Sequence, residues 1–130
     1  MINHVMIGSN DIDKTREFYN TVLGVLGASA PRENTNSTGQ TRLFYSHEGS
    51  TFSVSEPING EPVIAANGST IGFACDSPEQ LKEFHDVAIS SGGTSVEDPP
   101  GPRETAYGVI HLCYFLDPDG HKICGIYRPT

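Results

Sequence analysis

Tryptophan is absent from these 130 residues, and the aromatic content rests on six Phe and five Tyr. Cysteine is scarce and odd in number. Cys75, Cys113 and Cys124 show no CxxC spacing, so a disulfide scaffold is not expected and reducing cytoplasmic surroundings are. Basic residues are few: eight Lys and Arg stand against sixteen Asp and Glu, for a formal charge of −8 with no basic cluster. Such a surface repels phosphate backbones, which excludes nucleic acid as an expected partner. No apolar run approaches the ~18 residues of a membrane helix, so no membrane partner is expected either. The opening Met1-Ile2-Asn3-His4 has neither a basic stretch nor an apolar core before a cleavage site, so no signal peptide is expected. GxSxG, GxGxxG and P-loop strings are missing as well, which leaves nucleophile-elbow hydrolysis and the usual nucleotide sites without support.

What is present is a repeat. Shifted by 66 positions, Val5, Ile7, Glu17, Phe18, Val22 and Gly27 fall on Ile71, Phe73, Glu83, Phe84, Ala88 and Gly93. Each copy reads as a strand, a turn and a helix ending near glycine. In the first, residues 2–8 are β-rich and residues 11–23 carry Ile12, Tyr19, Val22 and Leu23 at helical spacing. In the second, Ser77-Pro78-Glu79-Gln80 supplies a capping Ser, a Pro at the first helical position and a Gln three residues after the cap. Strands follow over residues 41–46 and 51–55 around Glu48-Gly49, and over residues 109–116 and 122–127 around Asp117-Pro118-Asp119-Gly120. Residues 57–68 and 94–107 lack periodicity and read as long loops of a kind that is often functional. The organisation is βαβββ twice: module one over residues 1–56, a linker over 57–68, and module two over 69–130.

A tandem βαβββ with these words resembles the vicinal oxygen chelate superfamily of glyoxalases, bleomycin-resistance proteins and extradiol dioxygenases. The matching strings are Asn3-His4-Val5, Phe18-Tyr19-Asn20-Thr21-Val22-Leu23-Gly24, Gly68-Ser69-Thr70-Ile71-Gly72-Phe73 and Asp117-Pro118-Asp119-Gly120-His121-Lys122-Ile123, with Pro100-Gly101-Pro102-Arg103 between them. The resemblance implies an α+β fold in which the module sheets curve into a mixed-sheet cup. It also implies a divalent metal (Zn, Ni, Mn or Fe) held by a His on the first strand of each module and a Glu on the last strand, acting as a Lewis acid. This chain keeps one of the three: His4 stands at the first position, but the others are Thr70 and Cys124. A hydroxyl is a poor ligand and a thiolate replaces a hard carboxylate. Glu56, near where some glyoxalases add a carboxylate, is out of phase with Ser53, the counterpart of Cys124. His4 is therefore a metal ligand only if a metal binds at all, and no cofactor is expected.

Strand alternation turns Val5, Ile7, Ile71, Phe73 and Cys75 toward the helices. His4, Met6, Gly8, Thr70, Gly72 and Ala74 then form a small, mildly polar floor with room for a small organic molecule. Arg103 and Tyr107, in the loop that resembles the family's cup rim, are placed to grip a ligand. A two-residue hairpin at Pro118-Asp119 would pair Cys113 with Cys124 and bring His4, His111 and both thiols together as an alternative soft-metal set. The expected ligand-binding residues are thus His4, Met6, Thr70, Arg103, Tyr107, His111 and Cys124. His85 reads as a surface or packing residue, and His47 and His121, beside turns, read as solvated. The first expectation is a metal-free small-molecule-binding protein of the bleomycin-resistance kind. The alternatives are a metal-dependent lyase, isomerase or dioxygenase of the glyoxalase type, or an interaction module with a filled cup. By resemblance, the chain is expected to be a homodimer.

Overall fold

Both helices begin where the sequence supplies a cap. The computed structural model describes residues 1–129. Asp11 accepts from the Lys14 backbone N–H at 3.2 Å to open α1 (Ile12–Val25), and Ser77 accepts from Gln80 N at 3.0 Å to open α2 (Pro78–Ser90). Gln80 reaches back to Asp76 N at 2.6 Å and spans the helices by donating to Val25 O at 3.1 Å. The buried stripe is Thr15, Phe18, Tyr19, Val22 and Leu23 on α1 and Leu81, Phe84, His85 and Ala88 on α2.

Module one contributes β1 (Val5–Gly8), β2 (Arg32–Thr35), β3 (Thr41–His47) and β4 (Ser50–Ser55), in sheet order β1-β4-β3-β2 with β1 parallel to β4. Module two contributes β5 (Ile71–Ala74), β6 (Thr94–Ser95), β7 (Gly101–Thr105), β8 (Gly108–Leu116) and β9 (Lys122–Tyr127), in the order β5-β9-β8. The outer edge of β8 is shared between β6 and β7. Residues 94–107, read from sequence as an aperiodic loop, therefore hold two strands. Their Pro and Gly content hides them because edge strands tolerate residues that a central strand rejects.

The two hairpins differ in a way that sets the register. Glu48 and Gly49 both have positive φ (49° and 88°), forming the two-residue turn that leaves His47 opposite Ser50. The second hairpin closes by Asp117 N to His121 O at 2.9 Å, with Gly120 at φ 92°, so its loop has three residues rather than two. Tyr114 accordingly pairs with Cys124, and Cys113 with Gly125. The expected Cys113–Cys124 pairing is corrected: the thiols lie on opposite faces, because one extra loop residue moves every side chain by one position.

The helix-facing sides of the two sheets share one core. Six aromatic rings close a circuit through it: Phe18–Tyr19 at 5.0 Å, Tyr19–Phe52 at 4.8 Å, Phe52–Phe73 at 5.3 Å, Phe73–Phe84 at 5.9 Å, Phe84–Phe115 at 5.3 Å and Phe115–Phe18 at 6.2 Å. Such pairs each add ~0.5–1.5 kcal/mol beyond area burial, and this circuit joins both modules. A polar seam reinforces the joint. Tyr19 Oη donates to Asp117 Oδ2 at 2.6 Å, Asp117 Oδ1 accepts from Asp119 N and His121 N, and Thr15 Oγ1 donates to Asp119 Oδ2 at 3.3 Å. Burial pushes the Asp117 carboxyl up, against the lowering effect of the Tyr19 hydrogen bond. The Tyr19 hydroxyl is held well above its ordinary range, chiefly by burial and then by Asp117.

Candidate functional site

A broad concavity lies on the outward face of module one. Met6 and Gly8 from β1, Ser55 from β4 and Arg42 from β3 form its floor. The linker after β4 forms its wall through Pro57, Ile58, Pro62, Val63 and Ile64. Its volume is about 780 Å³, within the range of small-molecule sites. Gly8 lets the wall close onto the floor: a Cβ there would come within 2.9 Å of Val63 Cγ2. The Asn10 side chain fixes the wall by accepting from Val63 N at 2.8 Å. Module two closes one end, where His121 Nε2 lies 2.8 Å from Gly8 O. A carbonyl can only accept, so this contact places the proton on Nε2.

Alternation and register define the face. Met6 pairs with Ser53, Ser53 with Phe44, Gly8 with Ser55, and Ser55 with Arg42, while Arg32 and Asn34 pair with Phe44 and Arg42. The strand positions on this side hold two arginines and no carboxylate, although the chain carries a charge of −8. Glu33 takes the other side, where it binds the Arg16 guanidinium at 2.8 and 2.9 Å. Arg32 stacks over the Phe44 ring at 5.2 Å. Among the described residues, Arg42 has no ion-pair partner, and Arg42 Nε and Ser53 Oγ are buried without hydrogen-bond partners. Glu56 lines the same cavity as Arg42 without pairing with it, and its Oε1 accepts from Thr41 N at 2.8 Å.

Of the seven residues expected from sequence, the cavity floor includes Met6, which is 40% exposed. His4 is exposed ahead of β1, its Nδ1 2.8 Å from Asn3 Oδ1. Thr70 is exposed just before β5, with Gly72 and Ala74 on the same outward face. Cys124 is buried on that face, paired with Gly72 and Tyr114, and burial pushes its thiol up. His111 lies on the opposite, core side of β8, with its ring 5.7 Å from Tyr127. Arg103 curls onto its own loop and donates to the carbonyls of Asp98, Pro99, Gly101 and Pro102 at 3.0–3.2 Å. Tyr107 is 99% exposed at the tip of the β7–β8 hairpin.

One histidine, His121, differs from its sequence reading as solvated, while His85 takes the packing alternative. His121 bridges the modules, and His85 is buried between Asp86 and Ser95 at 3.0 and 2.8 Å. Arg42, Ser53 and the linker wall were missed. The alternation of Thr41-Arg42-Leu43-Phe44-Tyr45-Ser46 carried the signal for Arg42, since Leu43 and Tyr45 must face the core.

The architecture is a paired βαβββ scaffold, two mixed sheets around one shared core. The family model of the Glyoxalase/Bleomycin resistance protein/Dioxygenase superfamily matches residues 1–124, and the chain belongs to that superfamily. A crystal structure of a glyoxalase/bleomycin resistance protein from Albidiferax ferrireducens T118 is 45% identical, with TM-score 0.88, over 98% of this chain and 99% of that one. A probable lactoylglutathione lyase of Vibrio cholerae is 27% identical over 94% of this chain and 86% of its own length. A mutant of the fosfomycin resistance protein FosX from Listeria monocytogenes, complexed with Mn(II) and a dihydroxypropylphosphonic acid, shares the fold at 16% identity. Its TM-score is 0.71, over 100% of this chain and 93% of that one.

The donors on this chain do not fit the metal that the superfamily implies. His4 is engaged with Asn3, Thr70 offers a hydroxyl, and the Cys124 thiol is held protonated by burial. Among the described residues, no three of His, Cys, Asp and Glu stand together as a metal-binding group. The alternative set of His4, His111, Cys113 and Cys124 is split between two faces of a sheet by the three-residue hairpin. Among the described residues, no helix is long and apolar enough to cross a membrane.

Proposed function

We propose that this chain is a small-molecule-binding protein that uses the outward cavity of module one and does not depend on a metal. The observation that carries the reading is the 780 Å³ cavity, with its polar floor on β1, β3 and β4 and its apolar wall from the linker. The degenerate ligand set supports it, with Thr70 and Cys124 in place of two expected donors. The test is metal content by mass spectrometry on protein purified without a metal-affinity tag, beside His4→Ala, followed by a ligand screen. The expected result is no stoichiometric metal in either protein and saturable binding of small organic molecules. Near-stoichiometric metal that drops in His4→Ala would overturn it.

The name of the Vibrio cholerae relative favours a second reading, a divalent-metal-dependent lyase, isomerase or dioxygenase. That reading requires a turnover that chelation abolishes and added Ni, Zn, Mn or Fe restores. We further propose one domain of two modules, residues 1–56 and 69–130, working in the cytoplasm as a homodimer. The outward face of module two supports self-association: Ile110, Leu112 and Ile126 are half-buried there beside Cys124. Thr70 and Cys124 would then contact ligand only where a second copy completes that face. Arg103 and Tyr107 would border it, and light scattering measures the mass.

A further inference from the structure

We propose that the module-one cavity selects an amphipathic monoanion: a single oxyanion head bound by Arg42, carried on an apolar body that lies against the linker. The inference rests on the small-molecule reading above and adds the chemistry of the ligand.

Three observations carry it. First, Arg42 lines the cavity with no ion-pair partner among the described residues, and its Nε is buried without an acceptor. A half-buried guanidinium left unpaired is costly, and a carboxylate or phosphonate is the group whose geometry satisfies it. Second, Ser55, which pairs with Arg42 on the adjoining strand, lines the same cavity and sets a second polar side chain beside the guanidinium. Third, that face holds Arg32 as well as Arg42 and no strand carboxylate, in an otherwise acidic chain.

The surroundings narrow the class. Ile58, Val63 and Ile64 make the wall apolar, so the body of the ligand is apolar. Glu56 and Glu61 also line the cavity. Their charges oppose an anionic group anywhere in the cavity except against the Arg42 guanidinium, which confines the head to that one position and disfavours polyanions such as nucleotides.

The test compares two dyes of nearly the same shape: N-phenyl-1-naphthylamine, which is neutral, and 1-anilinonaphthalene-8-sulfonate, which adds one anionic group. An Ile64→Trp background locates them. The chain has no other Trp, and Ile64 is 90% exposed on the wall, so a dye in this cavity shows more efficient transfer from Ile64→Trp than from a second variant, Val109→Trp, whose position on β8 is 47% exposed in module two. The sulfonate dye is expected to bind at least tenfold more tightly than the neutral dye, with energy transfer from the new Trp. Arg42→Gln should remove that advantage and change neutral-dye affinity less than twofold, and Arg42→Lys should restore part of it. Displacement by benzoate or by phenylphosphonate then distinguishes a carboxylate head from a phosphonate head.

If both dyes show the more efficient transfer from Ile64→Trp but Arg42→Gln leaves the sulfonate dye within twofold, the anion inference is overturned and the cavity reading stands. If neither dye shows more efficient transfer from Ile64→Trp than from Val109→Trp, both are overturned. Far-UV circular dichroism checks that Arg42→Gln is folded, and retained neutral-dye binding confirms an intact cavity in that variant.

Discussion

Gly125→Ala is the most direct probe of how module two is assembled. Gly125 on β9 pairs with Cys113 on β8, and both turn toward α2. A Cβ added there would lie 2.7 Å from Cys113 Sγ and 3.0 Å from Phe84 Cδ2. Phe84 is fully buried in the aromatic circuit and Cys113 is fully buried against Leu81 O, so neither can swing away freely. Overpacking of this kind costs ~1–3 kcal/mol. With an unfolding entropy of ~2.1 cal/mol/K per residue, a loss of ~2 kcal/mol lowers Tm by roughly 7 °C.

Cys113→Ala removes the nearer obstruction. Combined with Gly125→Ala, it should recover about 1 kcal/mol relative to the sum of the two single changes, as neighbours in contact do. Phe84 keeps the rescue partial. Gly72→Ala is the control: its Cβ would meet only Cys124 Cβ, at 4.0 Å, which is ordinary contact. The assay is urea and thermal unfolding followed by far-UV circular dichroism, since the chain lacks Trp. Had the hairpin closed with two residues, Cys113 would face Cys124's side and Gly125 would not meet it. A Gly125→Ala cost below ~0.5 kcal/mol, or strict additivity with Cys113→Ala, refutes the observed register.

Burial pushes the Cys75 thiol up to about 11 and the Cys113 thiol up to about 12 from an ordinary 9. Their contribution is therefore complete below pH 9 and is lost as pH rises through 11 and 12, at ~1.4 kcal/mol per thiol per pH unit. Urea midpoints should fall between pH 8.5 and 10.5, and thiolate absorbance near 240 nm that titrates at 9 in the folded protein would contradict this. Tyr19→Phe removes the donor that holds the Asp117 carboxyl down and should cost ~1.5–3 kcal/mol. Because burial raises that carboxyl above its unfolded value, the loss should be larger at pH 7 than at pH 4 in chemical denaturation; the reverse order refutes the assignment. Leu112→Arg places a charge on the apolar face of module two and should shift mass toward monomer in light scattering while leaving dye binding in module one intact. An unchanged dimer would place the interface elsewhere.

The modules were legible because both signals for them are local. The 66-residue shift, the Asp11 and Ser77 caps and the alternation of Val5, Ile7, Ile71 and Phe73 each depend on a few neighbouring residues, and each reappears in the structure. Register was less legible. Asp117-Pro118-Asp119-Gly120 announces a turn, but whether it closes over two residues or three is decided by Gly120 adopting positive φ and by Asp117 accepting from two backbone N–H groups. The cavity wall was not legible at all. It arises because the aperiodic linker folds back onto Gly8, a contact between residues 55 positions apart that no local pattern records.

The repeat also explains why one face can hold a ligand and the other meets a different fate. Across module one, Gly8, Ser55 and Arg42 sit side by side on three strands. Across module two, the equivalent positions are Ala74, Ile126 and Leu112, in the same order and on the same three strands. These three strands are duplicated, so at these positions the faces differ in side chains, and the linker adds a wall to module one. An unpaired guanidinium beside a serine in a concavity calls for a polar, charged partner that can leave. Three apolar groups on an open sheet call for burial that persists. A duplicated scaffold needs this divergence to be more than symmetric. At Arg42 and its counterpart Leu112 a charged side chain in one copy has become an apolar one in the other.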